Sequence, residues 1–147
     1  MRLNEKIPEF GVAKEWLNTE PLTTETISGK PICVQFWSVS CKLCKKAMPS
    51  FVRIRDTYAD TLQVISVHTP LSEDDMDLDL DEIRSVAAEN DLTEPIAIDN
   101  EESLSKAFNI HFVPAYYLFD HSGKLRYIQR GKVNAKLLEK QIRRLIR

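Results

Sequence analysis

Only three of the 147 residues are cysteine, too few and too unevenly spaced for the disulfide framework of a small secreted domain. Glycine is scarcer than average, at four, and no low-complexity run interrupts the chain, so nothing marks a linker to a second domain. No stretch approaches the roughly 20 apolar residues of a membrane-spanning helix. The opening ten residues, MRLNEKIPEF, lack the apolar centre of a signal peptide. Nor is there an excess of positive charge: the net charge is −2, which argues against a nucleic-acid binder, whose affinity rests on many basic phosphate contacts. These absences point to a cytoplasmic chain that binds neither membrane nor nucleic acid. An exported parent with its leader removed is the alternative. The length suits one domain over residues 1–147, with residues 1–26 as an N-terminal extension packing on the core. Such a domain buries roughly 70% of the surface its unfolded chain would expose, so it needs no staple or metal to fold.

Hydrophobic periodicity then sets out the elements. Pro31 to Trp37 is a short apolar run entered through Gly29-Lys30 and reads as a buried central strand. Residues 42 to about 58 have helical spacing, with Leu43, Ala47, Phe51 and Ile54 three or four apart, and Pro49 should kink that helix. Leu62 to Val67 reads as a strand, 79–89 as a helix, 95–98 as a brief strand and 101–108 as a short helix. Ala115 to Phe119 and Leu125 to Gln129 flank the turn Asp120-His121-Ser122-Gly123 as a hairpin. Residues 134–146 form an amphipathic helix capped by Asn134. Alternating strands and helices, then a hairpin and a last helix, give an α/β fold: a central mixed sheet flanked by helices.

The chemistry sits at the first strand-to-helix turn. Cys41 opens a helix, where unsatisfied amides and the helix dipole favour negative charge, and Lys42, Lys45 and Lys46 lie within a turn and a half. A cysteine so placed has a lowered pKa, and the thiolate is the nucleophile. Cys44, three residues on, lies on the same side and can reach the first sulfur. The pair can therefore attack a disulfide through Cys41 and release the product through Cys44. A zinc half-site is the bland alternative, but it needs two further ligands, and His68, His111 and His121 are scattered with no second CxxC. Cys33, inside a strand, reads as a small buried apolar residue. The acidic run 73–82 reads as a solvated loop with acids at a helix start, or as a docking surface for a basic partner; it lacks the glycine and glutamate that a calcium loop requires. Trp16 and Leu17 read as cover for the sheet edge or the core.

These residues carry a resemblance. Phe36-Trp37-Ser38-Val39-Ser40-Cys41-Lys42-Leu43-Cys44, with Pro49, resembles the thioredoxin family's FWAxWCxxC segment and its helix proline. His111-Phe112-Val113-Pro114 and the following Ala115 to Phe119 are similar to that family's cis-proline loop and next strand, and Gly131 matches the glycine closing its last hairpin. The longer stretch between Pro49 and Pro114 resembles the strand-helix insert of the TlpA/DipZ-like (redoxin) branch, akin to peroxiredoxins. The resemblance runs from about Ile27 to the C-terminus. It implies a thioredoxin-like fold and a thiol–disulfide oxidoreductase with a redox-active disulfide and no cofactor or metal. Cys41 is then the nucleophile and Cys44 the resolving cysteine, with Trp37, Val113, Pro114 and Gln35 as substrate-binding or supporting residues. The partners implied are a protein or small-molecule disulfide substrate and an upstream reductase or oxidase, met by a monomer working in cell redox homeostasis.

Departures from the pattern bear on mechanism. Ser40 replaces the family's second tryptophan, and Leu43 the proline common inside the active-site dipeptide. Gln35 stands where thioredoxin has a buried acid, and Ser66 where it has the partnering lysine. An amide cannot relay the proton that Cys44 must lose, so solvent takes it or a carboxylate of the insert does, Glu73 being the candidate acceptor. Ser38, three residues before Cys41, keeps a peroxiredoxin-like thiol peroxidase as an alternative. A non-catalytic redox-sensing or metal-carrying module is another.

Overall fold

The computed structural model describes residues 1–70 and 75–147, with side chains from 77 onward in the second segment. Six strands form one mixed sheet in the order β1-β4-β3-β2-β5-β6. They are β1 (Glu15–Leu17), β2 (Ile32–Trp37), β3 (Gln63–His68), β4 (Ile96–Ile98), β5 (Ala115–Phe119) and β6 (Leu125–Arg130). The helices are α1 (Lys42–Thr57), α2 (Asp75–Leu78), α3 (Leu80–Glu89), α4 (Ser103–Phe108) and α5 (Ala135–Leu145), with short 3-10 turns at Phe10–Val12 and Glu25–Ile27.

Strand β2 is buried along its whole length: β3 pairs parallel along one edge, β5 antiparallel along the other, and a core layer covers each face. A strand covered on both faces reads as a continuous apolar run rather than an alternation. Side chains still alternate in direction. Cys33 and Trp37 enter the core layer shared with Cys44, Met48 and Phe51 of α1, Ile83 and Val86 of α3, and Leu138 and Ile142 of α5. Ile32, Val34 and Phe36 enter the opposite layer, with Phe10, Leu104 and Phe108. There Phe108 stands edge-on to Phe36 at 4.9 Å and to Tyr117 at 5.3 Å, geometry that adds about 0.5–1.5 kcal/mol per pair to the area buried. Gln35 is the one amide buried in this strand, and it lies on the α1 side.

Two elements escape the periodicity. β1 is three residues long and pairs antiparallel with β4, so Trp16 and Leu17 do cover the sheet edge and core. α2 is a single turn inside the acidic run. That run is not wholly solvated, because Asp77 is fully buried. Asp79 caps α3 through its carboxylate, which accepts from the Asp81 amide at 3.0 Å, and Asp81 and Glu82 occupy the first turn. Helix α1 continues as one element through Pro49.

Candidate active site

Cys41 is the N-cap of α1, and the sheet brings the active-site turn to the C-terminal ends of β2 and β3. Cys41 and Cys44 are joined in a disulfide with their Cα atoms 5.3 Å apart. The Cys44 amide donates to Cys41 Sγ at 3.1 Å. A thiolate at Cys41 would thus receive a free helix-end amide, the interaction that lowers a cysteine pKa. Cys41 is 6% exposed and Cys44 1%, so the first cysteine is the more accessible of the two. Across from them the Val113–Pro114 peptide is cis, and the Val113 carbonyl lies 3.7 Å from Cys41 Sγ. The Gly131 amide donates to the Pro114 carbonyl at 2.9 Å, and Gly131 has φ +77°, a value glycine adopts without strain.

The turn before the nucleophile is tied down residue by residue. The Val39 amide donates to His68 Nε2 at 3.1 Å. The Ser40 amide donates to Asp77 Oδ1 at 3.2 Å, and the Ser40 hydroxyl donates to Asp77 Oδ2 at 2.9 Å. The Cys41 amide closes on the Ser38 carbonyl at 3.1 Å. His68 packs edge-on to Trp37 at 4.8 Å and is fully buried. Burial pushes its pKa down to about 4, against the opposing pull of the Asp77 charge. The neutral ring that accepts from Val39 is therefore its state at neutral pH.

A second polar network lies deeper, under α1. Tyr116 OH donates to Gln35 Oε1 at 3.3 Å, and Gln35 Nε2 donates to Ser66 Oγ at 3.0 Å. Ser66 Oγ in turn donates to the Glu94 carboxylate, whose other oxygen accepts from Arg55 Nη1 at 2.8 Å. The Gln35–Ser66 pair that sequence reasoning treats as merely neutral is thus wired to a buried acid. Glu94 and Arg55 are missed by that reasoning. Their signals are an arginine on the apolar face of α1 and a glutamate directly before a buried strand. Cys33 sits in the same layer as a free, buried thiol, pushed up to about 12 by burial and by the Glu94 charge, so it is inert as read. Tyr116 is likewise raised by burial.

Of the other expected residues, Trp37 is fully buried behind the turn rather than on a substrate surface. Val113 and Pro114 are brought to the disulfide; Gln35 is not exposed to it through solvent. Glu73 lies outside the described residues. The Ser38 hydroxyl is fully buried and has no hydrogen-bond partner among the described residues, so it does not open onto a peroxide-sized site. Among the described residues no group of three or more His, Cys, Asp or Glu side chains could hold a metal, and no helix is long and apolar enough to cross a membrane. Leu43, Leu78 and Phe112 are exposed on segments that border the disulfide: the CxxC itself, the residue after Asp77 and the residue before Val113.

Residues 3–128 match the AhpC/TSA family. The chain belongs to that family. Its TlpA/DipZ-like character is borne out by relatives of this AhpC/TSA protein. It is 46% identical over 146 residues to the thiol-disulfide oxidoreductase YkuV of Bacillus subtilis (strain 168), covering 99% of this chain and 97% of that protein. It is 33% identical over 143 residues to Protein DipZ of Mycobacterium bovis, where 95% of this chain matches only 20% of that protein. The solution structure of a thioredoxin-like protein in the oxidised form superposes with a TM-score of 0.88 at 47% identity, covering 99% of this chain and 97% of that one. This AhpC/TSA protein is therefore a thioredoxin-like thiol–disulfide oxidoreductase with a CxxC redox disulfide. Nothing favours the peroxidase reading over it.

Proposed function

We propose that the Cys41–Cys44 pair exchanges with a disulfide of another protein, with Cys41 as nucleophile and Cys44 as resolving thiol. The observation that supports it is the Cys44 amide donating to Cys41 Sγ at the helix start, beside the Val113 carbonyl. In the reducing direction the Cys41 thiolate attacks a substrate S–S bond and expels one substrate thiolate. Cys44, having lost its proton, attacks the mixed disulfide and expels the second. The substrate gains two electrons, the pair loses them, and an upstream reductase restores the dithiol; an upstream oxidase would drive the same steps in reverse. In this reading the Val113 backbone pairs with an extended substrate segment, Pro114 holding it beside the disulfide, and the groove next to them is lined by Thr69, Pro70, His111 and Phe112. The working unit in this reading is a single-domain monomer of the cytoplasm that needs no cofactor. Cys44→Ser should accumulate mixed disulfides through Cys41 when mixed with oxidised protein extract, and Cys41→Ser should accumulate none. Alkylation of Cys44 or Cys33 before Cys41 at neutral pH would reverse the assignment.

A further inference from the structure

Ser40 is exposed, yet its amide and its hydroxyl both point inward to a carboxylate that is fully buried. Asp77 comes from α2, a four-residue helix in the insert, and reaches the residue immediately before the nucleophile. Each of its oxygens accepts a hydrogen bond from Ser40, the pattern of an ionised, acceptor-only carboxylate. Ser40 thus meets both oxygens of Asp77 from one residue, through its amide and its hydroxyl. A buried negative charge next to a cysteine disfavours its thiolate. Among the residues whose side chains are described, the other charged or titratable groups around Cys41 are Lys42, Lys45 and Lys46 on α1, neutral His68 on β3 and exposed His111 in the proline loop. The lysines are solvated, and solvated charges are screened far more than a buried one.

We infer that Asp77 is a positioning residue for disulfide exchange: it fastens the turn that carries Cys41 through Ser40, and its charge makes the Cys41–Cys44 pair a stronger reductant than the bare CxxC helix would be. The role rests on exchange through Cys41. A destabilised thiolate favours the disulfide, just as a stabilised thiolate makes a pair oxidising. The insert thus acts on the chemistry and is not only a spacer between α1 and the proline loop.

The test compares wild type, Asp77→Asn, Asp77→Glu and Ser40→Ala in glutathione redox buffers, with the pH dependence of Cys41 alkylation alongside. Asp77→Asn keeps a hydrogen-bonding group but loses the charge. It should shift the equilibrium about tenfold toward the dithiol, equivalent to about 30 mV upward, and move the alkylation midpoint to lower pH. Asp77→Glu should return most of that shift, which a purely structural role would not do. Ser40→Ala keeps the charge and should leave the potential within twofold while amide exchange at residues 39–41 speeds up at least tenfold. Should Asp77→Asn fail to fold, unchanged amide exchange in Ser40→Ala would still overturn the fastening role. An unchanged glutathione equilibrium and alkylation midpoint in folded Asp77→Asn overturn the electrostatic one. If wild type itself reduces no protein disulfide, it is the exchange reading that fails; if it does and the variants match it, only the role of Asp77 is lost.

Discussion

The two buried polar networks of this sheet are built from similar materials and do different work. The one at the mouth, His68 and Asp77, accepts from two backbone amides and the Ser40 hydroxyl of the reactive turn. The deeper one, Glu94 with Arg55, Ser66, Gln35 and Tyr116, links side chains of four elements to one another. Every hydrogen bond of the deep chain runs toward the Glu94 carboxylate, whose charge is balanced by Arg55. That network is a structural fastening between α1, β2, β3, β5 and the segment before β4. In the mouth network the Asp77 carboxylate accepts from Ser40 and stands beside a neutral histidine. The charge pair deep in the core holds the fold, whereas in the role inferred for Asp77 a carboxylate beside the reactive turn sets reactivity.

The contrast is broken most forcefully at Arg55. Arg55→Met leaves Glu94 buried without its cation, and the loss should be about 3–5 kcal/mol. Urea unfolding should show the drop, with the glutathione equilibrium of the folded fraction unchanged. The next effect comes from pH at the mouth. His68 is held at about 4 in the fold, below its usual 6.5, so the unfolded chain binds the extra proton first as pH falls. Stability should be unaffected above about pH 6.5, decline between 6.5 and 4, and have lost up to about 3 kcal/mol below that. His68→Gln, which can still accept from Val39, should flatten this limb of the unfolding profile. A smaller loss, about 1–3 kcal/mol, is expected for Ser66→Ala, which strands Gln35 Nε2 and one Glu94 oxygen without moving a charge. The smallest effect is kinetic. Resolution of the mixed disulfide should rise with pH toward the alkaline range of Cys44, and Gln35→Asp should speed it severalfold at neutral pH by supplying a buried base. If Gln35→Asp changes nothing and Glu73→Gln slows resolution severalfold, the acceptor lies in the insert instead.

Much of this could be read from residue order because the relevant signals are local. The strand β2, the helix after it, the hairpin and the Asn134 cap follow from periodicity and turn chemistry, and the Asn134 side chain does accept from the Leu137 amide at 3.0 Å. The cysteine pair announces itself by spacing and by its place at a helix start. What stayed hidden depends on contacts distant in sequence. β1 has only three residues, too short for any alternation to register. Asp77 looks like one of many acids in residues 73–82, and only its 37-residue reach to Ser40 distinguishes it. Glu94 and Arg55, 39 residues apart, each look like a surface charge until the sheet places them face to face. The neutrality of Gln35 was legible; the acid one serine away was not.

The edges of the sheet carry one more consequence. On one side β1, only three residues long, lies antiparallel against β4 and covers that strand's edge. On the other, residues 4–7 pair with the start of β6: the Asn4 amide donates to the Leu125 carbonyl, and the Leu125 amide to the Glu5 carbonyl. The remaining rim of β6 carries Arg126, Gln129 and Arg130, and charged side chains on an outer strand discourage the stacking of a foreign chain alongside. Both flanks are therefore poor templates for annealing, one ending in a three-residue strand and the other in a charged one. The sulfurs sit away from both flanks, at the end of the central strands β2 and β3. The edges, where strand addition would join one molecule to another, are thus kept apart from the turn that carries the redox disulfide.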